Sequence, residues 1–118
     1  MARLTDAFIQ PGESINLAAP YDRQGGQGAL VGAIFGVATK DVLSGATADF
    51  IIEGVFSIAK TAAQTFSQGA LVYWDNAAKS CTSVSTGNTR IGIATVAAVG
   101  GDANVTVRLN GAGAPTGA

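Results

Sequence analysis

The sequence predicts an all-β fold: a small antiparallel β-sandwich or barrel-like domain of short strands, with at most one short helix. Three observations predict it. Apolar residues alternate with polar ones at a period of two, the repeat of a half-buried strand, and not at the 3.6 repeat of a helix. Sixteen glycines punctuate the chain, so that turn signals fall roughly every eight to twelve residues. The long amphipathic stretches that would carry a chain across between parallel strands are missing.

Taken in order, Met1 to Pro11 carries Leu4, Phe8 and Ile9 ahead of the first clear strand. Such an apolar segment either is an arm that contacts a partner or is an edge strand of its own sheet, and the residues leave both open. Around Gln24 and Gln27, the glycines of Gly25 to Gly28 predict a polar, loose turn. Leu30 to Thr39 is apolar on both faces, which predicts a central strand or a strand beneath a subunit contact. Asp49 to Ile58 places Phe50, Ile52, Phe56 and Ile58 on one face around Gly54, so it is either one long bent strand or two short ones.

Lys60 to Gln68 is the one stretch that favours a helix, with Ala62, Ala63 and Gln64 inside it and Gly69 to end it. Gly69 to Trp74 is β-rich through Leu71, Val72, Tyr73 and Trp74, and the polar run Asp75 to Lys79 turns it into a hairpin. Gly87-Asn88 predicts a two-residue turn joining a strand at Cys81 to Thr86 with one at Thr89 to Ala97, on which Ile91, Ile93 and Thr95 share a face. Gly100-Gly101-Asp102 offers positive-φ positions for the reversal into Ala103 to Leu109, where Val105, Val107 and Leu109 alternate with polar residues. Residues 1–11 are therefore an N-terminal arm, 12–110 a single β domain, and 111–118, with Gly111, Gly113, Pro115 and Gly117, a flexible tail.

Composition narrows the function. A net charge of −1 spread along 118 residues gives no basic stripe to neutralise phosphates, which argues against nucleic acid. No apolar run approaches the ~18 residues of a membrane span. The start Met1-Ala2-Arg3-Leu4-Thr5-Asp6 lacks a signal peptide's apolar core, and the expectation is a protein that stays in the compartment where it is made. Charged residues are 13% of the chain, against ~25% in an average soluble domain. Such a surface points either to coverage by a partner or by further copies of the chain, or simply to an Ala-rich small domain.

Chemistry finds little to work with. Cys81 is the single cysteine and the chain has no histidine, so an internal disulfide, the usual zinc sets and Ser-His or Cys-His catalysis are excluded. Cys81 is expected to be an inert strand residue. Gly26-Gln27-Gly28-Ala29-Leu30-Val31-Gly32 misses the dinucleotide fingerprint, because its third glycine comes one place late and no strand precedes it; a phosphate loop is absent too. Asp49 and Glu53 would stand about 13 Å apart on an extended strand, beyond the ~5 to 10 Å of a glycosidase pair. Lys40 and Lys79 lie in turns but not in the setting of a biotinyl or lipoyl lysine. Of Tyr73 and Trp74, alternation lets at most one point outward to stack a sugar or base. The expectation is a chain without catalysis, cofactor, metal or small-molecule substrate.

Several segments carry a family resemblance: Phe8-Ile9-Gln10-Pro11-Gly12-Glu13, Leu30-Val31-Gly32-Ala33-Ile34-Phe35-Gly36-Val37-Ala38, Glu53-Gly54-Val55-Phe56, Gln68-Gly69-Ala70-Leu71-Val72-Tyr73-Trp74-Asp75, Ile91-Gly92-Ile93-Ala94 and Val105-Thr106-Val107-Arg108-Leu109-Asn110-Gly111. In this succession, over nearly the whole chain, they resemble the small capsid cement, or head-decoration, proteins of tailed bacteriophages and prophages. The resemblance implies a protein made in the host cytoplasm that adds to the outer surface of the virion head and reinforces contacts between major capsid protein subunits. It implies a homo-oligomer, with a trimer favoured over the dimers and monomers also found, and no catalytic residues. On this reading Leu4, Phe8 and Ile9 are the candidate capsid contacts. A competing class is a small sugar-binding or tail-associated β-sandwich module, which would show an outward aromatic beside an Asp or Asn cluster. An enzyme would need an acid pair converging in a pocket.

Overall fold

Nine strands and no helix make up the described residues, 12–110, of the computed structural model. They are β1 (Ser14–Ala18), β2 (Gly28–Val31), β3 (Ile34–Ala38), β4 (Thr47–Ile51), β5 (Glu53–Ala59), β6 (Leu71–Asp75), β7 (Ser80–Thr82), β8 (Thr89–Ala94) and β9 (Asn104–Asn110). Two sheets result: a four-stranded one in the order β1-β4-β3-β2 and a five-stranded one in the order β5-β9-β8-β6-β7. Every pairing between named strands is antiparallel. The larger sheet curls until the end of β5 reaches β7, where Lys60 and Cys81 form a parallel bridge and Thr61 N–H donates to the Cys81 carbonyl at 2.8 Å. The expected all-β sandwich with barrel character is the architecture found.

The segment Asp49 to Ile58 is two strands in two sheets. Ile52 is the hinge between them, and Gly54 at φ +123 begins the second. Its predicted inward set is kept across the change of sheet, with Phe50, Ile52 and Ile58 buried and Phe56 packed on the core.

Leu30 to Thr39 departs from the expectation of one strand. Gly32, at φ +60, and Ala33 fold it into the β2–β3 hairpin, with Val31 opposite Ile34. Within this hairpin, two-sided burial is most complete in β3. Its Phe35 and Val37 face the main core with Ile58, Val72, Trp74, Ile91, Val107 and Leu109. On the other side Ala38 packs with Phe50, Ala48, Ala29, Ala19 and Val42. The chain's own residues thus cover both faces, and this strand needs no second subunit over it.

The predicted helix at Lys60 to Gln68 is not formed, because tertiary partners take the backbone groups it would use. Thr61, Ala63 and Phe66 N–H groups donate to the carbonyls of Cys81, Gly100 and Ala98 at 2.8, 3.3 and 2.9 Å. The buried Lys60 side chain donates to the Gln64 carbonyl at 2.7 Å, and Ala63 sits at φ 70, outside the helical region. Helix propensity is worth only tenths of a kcal/mol per residue and yields to such partners.

The meander is also redrawn. Asp75 to Lys79 is the hairpin turn expected, its Asp75 Oδ1 accepting from Ala77 and Ala78 N–H at 3.0 and 3.1 Å. Gly87, at φ +76, and Asn88 do turn the chain, but β7 pairs with β6, and β6 separates it from β8. The reversal after β8 is a wide loop. Gly100 and Gly101 do not adopt positive φ; Asp102 closes the turn from both sides, its N–H donating to the Val99 carbonyl at 3.0 Å and its Oδ2 accepting from Val99 N–H at 2.9 Å.

Candidate binding surfaces

The capsid contacts expected at Leu4, Phe8 and Ile9 lie outside the described residues. The segment they belong to leads into β1, an edge strand of the four-stranded sheet. Ile15 and Leu17 of β1 are half-buried, and Ser14, Asn16 and Ala18 are exposed.

The residues considered for chemistry are dispersed. Cys81 is fully buried in β7, and desolvation pushes its thiol up to about 12, so at neutral pH it is a protonated, unreactive group. Asp49 and Glu53 are exposed on different sheets. Trp74 is the inward member of its pair, 4.9 Å from the Phe35 ring centroid, while Tyr73 is half-buried. The Trp74 indole donates to Asn76 Oδ1 at 3.2 Å, the atom that also accepts from Tyr21 Oη at 2.8 Å. The Tyr21 ring is overlaid by Arg23 and Lys79, at 5.0 and 4.5 Å from its centroid.

The glycine turn at Gly25 to Gly28 is tied at each residue and is not the loose loop its composition suggests. Gly26 N–H donates to the Ala38 carbonyl at 2.8 Å, Gln27 N–H to the Gln24 carbonyl at 3.0 Å, and Gly25 N–H to Asp41 Oδ1 at 2.9 Å. A β-carbon at Gly28 would stand 2.3 Å from the Phe35 ring.

Two surfaces went unseen in the sequence. The first is a loop end where a depression of about 480 Å³ is lined by Asp22, Arg23, Gln24, Gln27, Asp41 and Leu43, among others. Asp22 Oδ1 accepts from Ser44 N–H at 2.7 Å, and the Arg23–Val42 bridge closes the base, so Leu43 stands out at 70% exposure on a braced turn.

The second is the outer face of the five-stranded sheet. Leu71 lies opposite Ile93, Ile93 opposite Arg108, and Arg108 opposite Val55, which makes one row across four strands. Leu71, Ile93 and Val55 are exposed, and Arg90 and Arg108 stand beside them. Ile93 belongs to this face because of a β-bulge. Val72 pairs with Gly92 and Tyr73 with Arg90, leaving Ile91 as the extra residue. The bulge reverses the alternation, so Ile91 is buried and Ile93 exposed, against the expectation that they share a face. A single sequence shows no signal for that slip, since the pattern Ile91-Gly92-Ile93 is that of a regular strand.

With the fold and these surfaces in view, comparison with known proteins identifies the lineage. A family model described as phage cement protein matches residues 9–109. The chain belongs to this family. Its place is therefore the phage capsid, in a structural role, and the match spans both sheets and all nine strands up to Leu109. Among curated proteins and among solved structures, nothing matches the chain.

Proposed function

We propose that this cement protein decorates the outside of a tailed-phage head and reinforces contacts between major capsid protein subunits, as a homo-oligomer, with a trimer favoured. The observation that carries this reading is the family match across residues 9–109. Low charge supports it: at 13% charged residues the free surface is suited to being covered. Synthesis in the host cytoplasm and assembly onto completed heads follow from the same reading.

The grip is assigned to the N-terminal segment, with Leu4, Phe8 and Ile9 as its apolar contacts. It runs into an edge strand, and an extended segment can add itself to a sheet of the capsid subunit through backbone hydrogen bonds. Pro11 would end such pairing, because proline has no N–H to donate. Burying Phe8 and Ile9 contributes roughly 1.5 to 3 kcal/mol each before ordering costs. Phe8→Asp should accordingly weaken attachment by about tenfold or more, and avidity in an oligomer multiplies the effect.

The test is co-sedimentation with purified heads. A chain lacking Met1 to Gln10 is expected to fold and oligomerise as the full chain does and to leave the heads undecorated. Unchanged decoration would place the grip on the β domain, and unfolding of the truncated chain would make the segment a strand of its own core. No decoration by the full chain would remove the capsid reading.

A further inference from the structure

We propose that the outer face of the five-stranded sheet is a socket for the Leu43 turn of a second copy of this chain, so that copies join head to tail. The proposal deepens the self-association included in the function above and rests on that reading.

The socket is built by the bulge and by Gly92. A depression of about 220 Å³ is lined by Leu71, Arg90, Gly92, Ile93 and Arg108. Gly92 can carry no side chain, since a β-carbon there would stand 2.0 Å from the Arg108 carbonyl oxygen. Ile93 faces out only because Ile91 is bulged, and a bulge is a means of re-aiming a side chain. Arg90 and Arg108 are exposed, and among the described residues neither guanidinium has a hydrogen-bond or ion-pair partner. Two exposed guanidinium groups beside an apolar patch call for carboxylates flanking an apolar group.

The loop end supplies them. Leu43, the most exposed of the large apolar side chains described, borders the same depression as Asp22 and Asp41. Among the described residues both carboxylates spend only Oδ1, on Ser44 and Gly25 N–H, so each has a second oxygen to offer. The neighbouring cation Arg23 is engaged elsewhere, with Nε on the Asp22 carbonyl at 2.8 Å and a terminal nitrogen on the Gly28 carbonyl at 3.2 Å; Lys40 is the other cation beside the turn. Bracing by hydrogen bonds means that little order has to be imposed on the loop when it docks.

Symmetry selects the mode. Two sockets placed face to face would bring Arg90 and Arg108 against their own copies, a like-charge contact that costs energy. Plug into socket joins opposite charges, and a contact between different surfaces closes into a ring when its rotation permits.

The test is the solution mass of the full chain by gel filtration with light scattering, across a dilution series. Leu43→Arg sets a cation against the socket arginines and is expected to weaken assembly by roughly tenfold or more while circular dichroism and melting stay as in the parent. Adding Arg108→Glu to Leu43→Arg is expected to restore assembly. Should Leu43→Arg lose its β-sheet spectrum, Ile93→Asp reads the same contact from the socket side. The proposal is overturned if the parent chain is monomeric throughout, if Leu43→Arg keeps the parent's mass, or if the double variant assembles no better than the single. A variant with the parent's mass that no longer binds heads would likewise overturn it and give the face to the capsid, whereas failure of the parent to decorate heads touches only the function proposed above.

Discussion

Gly92 and Gly101 occupy opposite extremes of crowding in this chain. At Gly92 a β-carbon meets the Arg108 carbonyl oxygen at 2.0 Å, while at Gly101 it meets nothing within 4 Å. Backbone cannot retreat as a side-chain tip can, so Gly92→Ala must part β8 from β9. We expect a loss on the order of 2 to 4 kcal/mol for Gly92→Ala and less than about 0.5 kcal/mol for Gly101→Ala, measured by denaturant unfolding. Equal losses would contradict the close approach. Cys81 gives a prediction with a pH signature. Its pKa is raised from 9.0 to about 12 by burial, so the folded state holds the thiol proton more tightly than the unfolded state. The stability this contributes is fully present below pH 9 and is lost as pH rises toward 12. The advantage of the parent over Cys81→Ala should therefore shrink above pH 9, by up to about 1.4 kcal/mol per pH unit. Parallel stability curves would count against a desolvated thiol.

Among the elements, the segment from Lys60 to Gln68 shows how local preference is overruled. Ala62, Ala63 and Gln64 favour a helix, yet Gly100, Ala98 and Cys81 take the donors, and Gln64 Oε1 accepts from the Ser83 backbone and hydroxyl. Ala63 adopts φ 70 to reach these partners, at a cost of ~1 to 2 kcal/mol for a residue with a β-carbon. Ala63→Gly should relieve it and, after the added chain entropy of glycine, raise stability by about 0.5 to 1 kcal/mol in thermal unfolding. A decrease would mean that the strain is absent. The same kind of override sets β8. Its alternation is regular in sequence, and the bulge opposite Val72 and Tyr73 comes from matching two partner strands at once, β6 and β9. By contrast, Asp75 to Lys79 was legible because Asp75 closes its turn with residues two and three places on, an interaction contained within the turn itself.

At the scale of the molecule, Trp74 is the largest side chain in the core that the two sheets share. Trp74 of β6 is 1% exposed and meets the Phe35 ring of β3 in a tilted contact at 4.9 Å, with its indole N–H tied to Asn76. Trp74→Ala should cost about 3 to 5 kcal/mol. Because the core is shared, both sheets should melt in one lowered transition, followed by circular dichroism. Two separated transitions would show that the sheets are held independently.

What the sequence by itself determined is the class and the interior. The period-two pattern of Val105, Val107 and Leu109 marks an inward face wherever the strand ends up, and all three are buried. Phe50, Ile52 and Ile58 are equally legible, since an apolar side chain leaves water whichever sheet receives it. The succession of segments along the chain was enough for the family, because membership rests on their order and not on their packing. The tertiary structure decided the pairing order, the bulge, the fate of Lys60 to Gln68 and the candidate surfaces. These depend on which distant backbone groups meet. Leu71, Ile93, Arg108 and Val55 come from four strands spread over more than fifty residues, and only strand register brings them into one row. Register is settled by the whole set of hydrogen bonds and buried contacts together, and no local window of the sequence contains that sum.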